Sequence, residues 1–112
     1  IMCGDFNICH REIDIARPKE NADSIGFLPI ERDKVSEFIS HGYVDAFRYK
    51  HGDIADKYTR RSYRAGARPR NVWRRIDYFF VSDNIKDKIT KIYHQDGIEG
   101  SDHCPVSLEI EL

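Results

Sequence analysis

Three short segments of the chain carry side chains that could act together on a phosphate. Gly4-Asp5-Phe6-Asn7 stands near the start, Arg75-Ile76-Asp77-Tyr78 lies in the second half, and Gly100-Ser101-Asp102-His103 comes close to the end. A histidine beside an acid, a second acid in an apolar strand and an Asp-x-Asn turn are the groups that metal-assisted attack of water on a phosphate requires. The residue types therefore predict cleavage of a phosphodiester.

Asp77 lies between Ile76 and Tyr78 in an apolar run, where an unpaired carboxylate would be costly or would take up a proton. We therefore expect Asp77 to have a buried partner. A histidine would be the most productive partner, because a carboxylate fixes the tautomer of an imidazole and stabilises its cationic form. One of the neighbouring arginines is the alternative, and it would make the aspartate purely structural.

The other two segments offer complementary groups. Asp5 and Asn7 are two residues apart, so both side chains would lie on one side of an extended chain. Asp5 could take a proton from water, and Asn7 could bond a developing phosphorane oxygen. Asp102 and His103 stand before Pro105 at the predicted start of a strand, where one could reach a metal and the other a phosphate oxygen. Each segment alone could be a surface turn, and only their combination points to catalysis.

The stretch over residues 58–76 contains seven arginines and no acidic residue, although the whole chain carries a formal charge of -1. Tyr58, Tyr63 and Trp73 are interleaved with these arginines. Guanidinium groups bind phosphates and aromatic rings stack on bases, so the stretch could bind a nucleic acid. The alternative is an ordinary solvated face.

Size and composition set further bounds. The 112 residues suffice for one domain, and we expect residues 1–112 to form a single unit. Three cysteines without a Cys-x-x-Cys spacing argue against a disulfide framework or a structural zinc site, and favour a reduced, cytoplasmic protein. The apolar runs are too short for a membrane span, so we expect no membrane partner. Because the chain starts at Ile1 rather than at methionine, we expect it to have been cut from a longer one.

The elements that position these side chains are both helices and strands. An amphipathic helix begins at Pro29 and ends at Gly42, after a long ordered surface loop over residues 8–28. A second short helix is expected over 83–91. The predicted strands cover residues 1–6, 43–47, 57–63, 75–82 and 106–112.

The run 76–81 is apolar on both faces, which is typical of a central strand covered on both sides. The expected helices suffice to cover one of these sides, so something else must cover the other. The predicted class is therefore α/β (α+β), with one mixed sheet and helices on one face.

The motifs, taken in order, resemble the exonuclease III family of apurinic/apyrimidinic endonucleases. The resemblance rests on residues 4–14 (Gly-Asp-Phe-Asn-Ile-Cys-His-Arg-Glu-Ile-Asp), 26–32 (Gly-Phe-Leu-Pro-Ile-Glu-Arg), 63–68 (Tyr-Arg-Ala-Gly-Ala-Arg), 76–79 (Ile-Asp-Tyr-Phe) and 100–105 (Gly-Ser-Asp-His-Cys-Pro). Gly-Asp-x-Asn and Ser-Asp-His also fit a wider superfamily that includes sphingomyelinases and inositol polyphosphate phosphatases. The His-x-Glu-Ile-Asp and Tyr-Arg-Ala-Gly-Ala-Arg segments select the DNA-repair branch.

The resemblance implies a role for each candidate residue. His103 would contact the scissile phosphate as acid or base, Asp77 would orient it, and Asp5 would activate the attacking water. Asn7 would stabilise the transition state, and Asp102 would hold Mg²⁺ or Mn²⁺, with Asp5, Asn7 and His103 also near the metal in some members. The residues that would contact DNA are Arg60, Arg64, Arg68, Asn71 and Arg74.

Two local departures bear on specificity. Arg60-Arg61 stands where the family usually has aromatic residues, and Trp73-Arg74-Arg75 stands where it usually has Gly-Trp-Arg. The aromatic residues help to form the pocket for a flipped-out sugar. The arginines would weaken recognition of the lesion and raise nonspecific attraction to phosphates.

The resemblance also implies half of a four-layer α-β-β-α sandwich, because it covers only the second half of a family member. The first half would supply a glutamate and an asparagine to the metal, so we expect this half alone to be inactive. A sheet face left open would be covered by a second copy in a homodimer or made polar by substitution, as in an engineered half-domain. Three functions stay open: a magnesium-dependent hydrolase of DNA at abasic sites with 3′-to-5′ exonuclease activity, a non-catalytic scaffold, and a DNA-binding module.

Overall fold

The computed structural model describes residues 1–60, 73–95 and 103–112. The strands are β1 (Met2–Asp5), β2 (Tyr43–Asp45), β3 (Asp77–Ser82), β4 (Ile89–His94) and β5 (Val106–Ile110). The α-helices are α1 (Pro29–Ser40) and α2 (Ala46–His51), and 3₁₀ turns occupy Glu12–Asp14 and Asp83–Lys88. The mixed α/β class predicted from the sequence is confirmed. No helix in these three stretches is long and apolar enough to cross a membrane.

The strands form two antiparallel sheets. In the first, β3 lies between β1 and β2, with Asp5 opposite Asp77 and Val44 opposite Val81. In the second, β4 pairs with β5. The prediction of one mixed sheet is therefore wrong for the described residues. The 3₁₀ turn Asp83–Lys88 takes the chain out of the first sheet, and β4 then finds its partner in β5 instead.

The two faces of β3 contact different layers. On one face Phe80 meets Phe38 of α1 edge-on, with 5.2 Å between ring centroids. On the other face Val81 belongs to a buried cluster with Phe47 of α2 and Ile92 of β4, against which side chains of β5 also pack. Helix α2 and the β4–β5 hairpin thus supply the second cover that the sequence required, and the prediction of helices on one face only is wrong.

Two elements differ in type from the prediction. The strand expected over 43–47 ends at Asp45, whose carboxylate accepts a hydrogen bond from the Arg48 amide at 3.4 Å and starts α2. The helix expected over 83–91 is instead the 3₁₀ turn followed by β4. The strand expected over 57–63 is also wrong for its described part, where Arg60 makes only isolated bridges, while residues 61–63 lie outside the described residues.

The loop between β1 and α1 is partly buried, although the sequence predicted a surface loop. Cys9, Ile15 and Phe27 form a buried cluster with Ile76, next to β3. Burial raises the pKa of the Cys9 thiol to about 12. The loop is drawn inward because Ile15 forms a bridge opposite Arg74, so that its backbone is paired rather than left to water. The loop therefore packs against Ile76, the residue directly before Asp77 of the candidate site.

Candidate active site

Asp77 and His103 form a hydrogen-bonded pair. Asp77 is the first residue of β3, and its Oδ2 lies 2.9 Å from Nδ1 of His103, which precedes β5. The two side chains are 20% and 32% exposed, so water screens the pair only in part. A carboxylate at Nδ1 keeps a proton on that nitrogen and leaves Nε2 to face a substrate. The partner expected for Asp77 is thus a histidine rather than a neighbouring arginine.

Asp5 approaches the same imidazole from its other side. Its position opposite Asp77 on the neighbouring strand places Oδ2 at 3.9 Å from Nε2 of His103. This separation is too long for a direct hydrogen bond, but an oxygen about 2.8 Å from each atom would fit between them. The geometry suits a carboxylate and an imidazole that act on one water molecule or one phosphate oxygen.

Asn7 lies in a tight turn directly after β1. Its backbone has φ 56°, in the left-handed region that asparagine tolerates better than most residues, and its amide donates to Asp5 Oδ1 at 2.9 Å. The expectation that Asp5 and Asn7 share an extended chain is therefore wrong. The turn instead fixes the Asp5 carboxylate and presents an exposed Asn7, while the intervening Phe6 amide donates to the Ile76 carbonyl at 3.0 Å.

A carboxylate and imidazole cluster results from these contacts. Ligand atoms of Asp5, Asp77 and His103 all lie within 4.8 Å of one another. An open cleft of about 260 Å³ adjoins the cluster, and Cys104 and Pro105 line its other side. Of the predicted metal ligands, Asp102 lies outside the described residues.

The predicted DNA contacts are only partly described. Arg60 lies opposite both His103 and Arg74 in isolated antiparallel bridges, which places it beside the candidate site. The Arg74 guanidinium donates to the Ile25 carbonyl at 2.6 Å and so extends toward the loop before α1. The remaining predicted contacts, Arg64, Arg68 and Asn71, lie outside the described residues.

Arg75, which contributed to the basic stretch in the sequence, is fully buried in an ion network. Its guanidinium bonds Asp14 Oδ1 at 2.7 Å and makes two contacts with the carboxylate of Asp45, while Arg48 reaches Asp14 at 2.5 Å. Burial alone would raise the pKa of Asp14, but Arg75 and Arg48 hold that pKa below its ordinary value. Arg75 is therefore a structural residue rather than a phosphate ligand.

Tyr78 ties this network to the site, and sequence reasoning missed its role. Its hydroxyl lies 2.7 Å from the Ile8 carbonyl and 2.9 Å from the Arg75 carbonyl, and it accepts a hydrogen bond from the His10 amide. Burial raises the pKa of Tyr78 well above its ordinary value, so the hydroxyl keeps its proton. The available signal was its position beside Asp77 in the same apolar run.

Comparisons with known proteins place this geometry in context. The profile of the Endonuclease/Exonuclease/phosphatase family matches residues 1–103. The chain is 46% identical over 112 residues to an exodeoxyribonuclease of Bacillus subtilis, and this match covers 100% of the chain and 44% of the relative.

Solved structures show the same likeness. The AP endonuclease LMAP from Leishmania major superposes with a TM-score of 0.85 at 32% identity, over 95% of this chain and 33% of that one. The 3′ phosphatase NExo from Neisseria, bound to a product DNA hairpin, superposes with a TM-score of 0.85 at 27% identity, over 98% and 44%. The chain thus spans less than half the length of the relatives that it matches.

Proposed function

The chain belongs to the endonuclease/exonuclease/phosphatase family, and we propose that its site takes part in the metal-dependent hydrolysis of DNA phosphodiesters. The observation that carries the proposal is the imidazole of His103 between two carboxylates, with Asp77 at 2.9 Å from Nδ1 and Asp5 at 3.9 Å from Nε2. The exodeoxyribonuclease and AP endonuclease relatives support DNA as the substrate class.

Each residue has a distinct part in the proposed reaction. Asp5 takes a proton from the attacking water, whose oxygen bonds to phosphorus as the bond from phosphorus to the leaving oxygen breaks. His103 donates a hydrogen bond from Nε2 to a phosphate oxygen, and Asp77 holds the ring and stabilises its positive charge. The leaving oxygen keeps the electron pair of the broken bond and takes a proton from water. Asn7, exposed at the turn after Asp5, is placed to bond the oxygen on which negative charge develops.

When bound, a divalent cation such as Mg²⁺ or Mn²⁺ would neutralise negative charge on the phosphate. Such ions prefer oxygen ligands. Asp77 Oδ2 already accepts from His103, so Asp5 is the better oxygen donor among the three clustered side chains. We propose Asp5 and Asp102 as the carboxylates that hold the ion, with Asn7 and His103 beside it.

The finer specificity is also proposed. Abasic duplex DNA is the substrate class implied by the relatives, with Arg60, Arg64, Arg68, Asn71 and Arg74 as the residues that contact it. The resemblance implied that this half alone is inactive. Because Asp5, Asp77 and His103 come together within this chain, we propose slow cleavage instead, although the chain spans only 44% of the Bacillus relative.

A nicking assay tests the proposal. The chain is incubated at high concentration with an end-labelled abasic duplex in Mg²⁺ or EDTA, beside the variants His103→Ala and His41→Ala, the latter removing an exposed histidine after α1. We expect slow nicking that needs metal, is lost in His103→Ala and persists in His41→Ala.

Two outcomes would overturn hydrolysis by this chain. Salt-sensitive retardation of the duplex without nicking would favour the DNA-binding module. Neither retardation nor nicking would favour the scaffold, whose predicted homodimer can be sought by light scattering at several concentrations.

A further inference from the structure

Thr59 is hydrogen-bonded to the backbone of both segments that carry the His103–Asp77 pair. Its side chain is fully buried, at 0% exposure. Its hydroxyl oxygen accepts hydrogen bonds from the amides of Ile76 at 2.9 Å and Asp77 at 3.1 Å. One side-chain oxygen thus satisfies two consecutive amides where β3 begins, and one of these amides belongs to the aspartate of the pair.

The backbone of Thr59 holds the other member. The amide of Cys104, the residue after His103, donates to the Thr59 carbonyl at 2.7 Å. Arg60, the residue after Thr59, lies opposite His103 in an isolated antiparallel bridge. The segment that carries the histidine is therefore joined to the peptide that carries the threonine.

The turn after β1 is joined to Thr59 through the residues around the start of β3. The Thr59 amide donates to the Arg74 carbonyl at 2.9 Å, and the Ile76 carbonyl accepts from the Phe6 amide at 3.0 Å. Phe6 stands between Asp5 and Asn7. The start of β3 and the segment before β5 are thus bonded to Thr59 directly, and the turn after β1 is joined to it through Ile76.

We propose that Thr59 is a positioning residue, whose hydroxyl sets the start of β3 so that Asp77 lies at hydrogen-bond distance from Nδ1 of His103. The inference rests on the proposed function of that pair. Thr59 touches no reacting atom and acts through the backbone of Asp77. A misplacement of about 1 Å at a reacting group can cost about 10²-fold in rate, so a fixed backbone matters at this position.

Two substitutions separate the hydroxyl of Thr59 from the shape of its side chain. Thr59→Val keeps the shape of the side chain and loses the acceptor, whereas Thr59→Ser keeps the acceptor. Thr90→Val is a control, because Thr90 is exposed on β4 and its hydroxyl donates to the Glu109 carbonyl at 3.1 Å. Asp77→Asn shows what complete loss of the carboxylate does to the histidine ring.

The measurement is NMR of the histidine ring nitrogens in the labelled chain, with folding checked by the dispersion of the amide signals. We expect the Nδ1–H signature of His103 to be lost or exchange-averaged in Thr59→Val, as in Asp77→Asn, and retained in Thr59→Ser and Thr90→Val. A folded Thr59→Val chain with unchanged His103 resonances would overturn the proposal. If Thr59→Val does not fold, Thr59→Cys, which keeps a weak acceptor, must show an intermediate shift, and unchanged resonances there would overturn it equally.

This readout needs neither DNA nor turnover, so it is independent of the nicking assay. Absence of nicking with a changed His103 ring would remove the proposed function and leave the positioning role of Thr59 in place. Where nicking is measurable, we expect Thr59→Val to lower kcat by about 10- to 10²-fold with KM within about twofold. A rise in KM with unchanged kcat would contradict a positioning role.

Discussion

The two ring nitrogens of His103 face different carboxylates at different distances, and only the nearer carboxylate, that of Asp77, is hydrogen-bonded to the ring. Asp77 is bonded to Nδ1, so it controls the tautomer and the orientation of the ring. Asp5 stands 3.9 Å from Nε2 and is held by the Asn7 amide instead, which leaves room for an oxygen between the two groups. One histidine can therefore be oriented on one side and reactive on the other.

Asp77→Asn tests this assignment. An asparagine amide can donate to Nδ1 and so favours the tautomer with the proton on Nε2, which reverses the roles of the two nitrogens. We expect metal-dependent nicking to fall by about 10²–10⁴-fold, with little change in the free energy of unfolding. Single-turnover nicking rates and urea denaturation provide the measurements. Asp33→Asn, an exposed acid on α1, is the control and should nick as the parent does.

Sequence reasoning could find Asp77 and its histidine partner because a carboxylate in an apolar run needs an explanation. It could not find Thr59, since a threonine in a polar stretch is unremarkable until its hydroxyl is seen beneath two amides. The sequence predicted a turn at Asp5-Phe6-Asn7 but not which of its residues has a left-handed backbone, because aspartate and asparagine both tolerate that conformation. The roles assigned to Asp5, Asn7, Asp77, Asp102 and His103 stay predictions.

At the scale of the element, the loop between β1 and α1 packs closely against the turn that carries Asn7. Gly26 has φ +91°, and its carbonyl accepts a hydrogen bond from the Cys9 amide at 2.8 Å. A Cβ atom there would lie 2.8 Å from the Asn7 carbonyl oxygen and 2.6 Å from Nη1 of Arg74. The arginine could move aside, but the backbone of Asn7 could do so only by shifting the turn.

Gly26→Ala should therefore lower both stability and activity. Its matched control is Gly42→Ala, because Gly42 has φ +94° and nothing within 4 Å of its would-be Cβ. We expect about 1–2 kcal/mol of destabilisation from backbone strain in Gly42→Ala. Crowding should add about 1–3 kcal/mol in Gly26→Ala. Urea denaturation and the nicking assay measure the two effects, and equal losses in both variants would show that Asn7 is not displaced.

The elements found from sequence are those whose signals are local. Pro29 and the acid that follows it marked α1, and the apolar run marked β3. Strand β4 was mistaken for a helix because its pairing with β5 depends on residues far along the chain, which override weak local preferences. Helix α2 was missed because its start depends on the capping contact of Asp45, which interrupts a strand-like run.

At the scale of the whole molecule, the buried ions join three parts of the chain. Asp14 lies in the loop after β1, Asp45 ends β2 and caps α2, and Arg75 leads into β3. Burial alone would lower the pKa of Arg75, but the charges of Asp45 and Asp14 raise it above its ordinary value. The network therefore anchors the loop between β1 and α1 in the buried interior, through Asp14.

Arg75→Met should destabilise the whole chain. It leaves the buried carboxylates of Asp14 and Asp45 without their main partner, and breaking one side of a buried ion pair costs about 3–5 kcal/mol. Arg17→Met is the control, because the Arg17 contact with Glu20 is exposed and should contribute less than about 1 kcal/mol. Urea denaturation of both variants decides; similar midpoints would mean that the network contributes little.

The dependence of stability on pH should contain a contribution from His10. Burial lowers the pKa of His10, so the unfolded chain takes up a proton there before the folded chain does. The stability that this histidine contributes is therefore complete above the ordinary pKa of about 6.5 and declines as the pH falls below it. Unfolding free energies from pH 7.5 downward should fall less steeply in His10→Gln than in the parent, and exposed His41→Gln serves as the control. Parallel curves for the parent and His10→Gln would contradict the assignment.

The resemblance to the exonuclease III family is confirmed by relatives that match along the whole chain, because the motifs that carry it are short and closely spaced. The general α/β class is confirmed as well, whereas the division into two sheets required the long-range pairing of β4 with β5. A single domain over residues 1–112 and a homodimer stay predictions.

Cys9 is a buried thiol whose chemical modification can report local opening of the chain. A thiol with a pKa of about 12 carries almost no thiolate at neutral pH, and a buried one is also closed to reagents. Exposed Cys3 on β1 reacts from the folded state and calibrates the reagent in the same tube. The rate at which an alkylating agent modifies Cys9 relative to Cys3 therefore reports the opening of the loop that holds Cys9, without any substrate or metal.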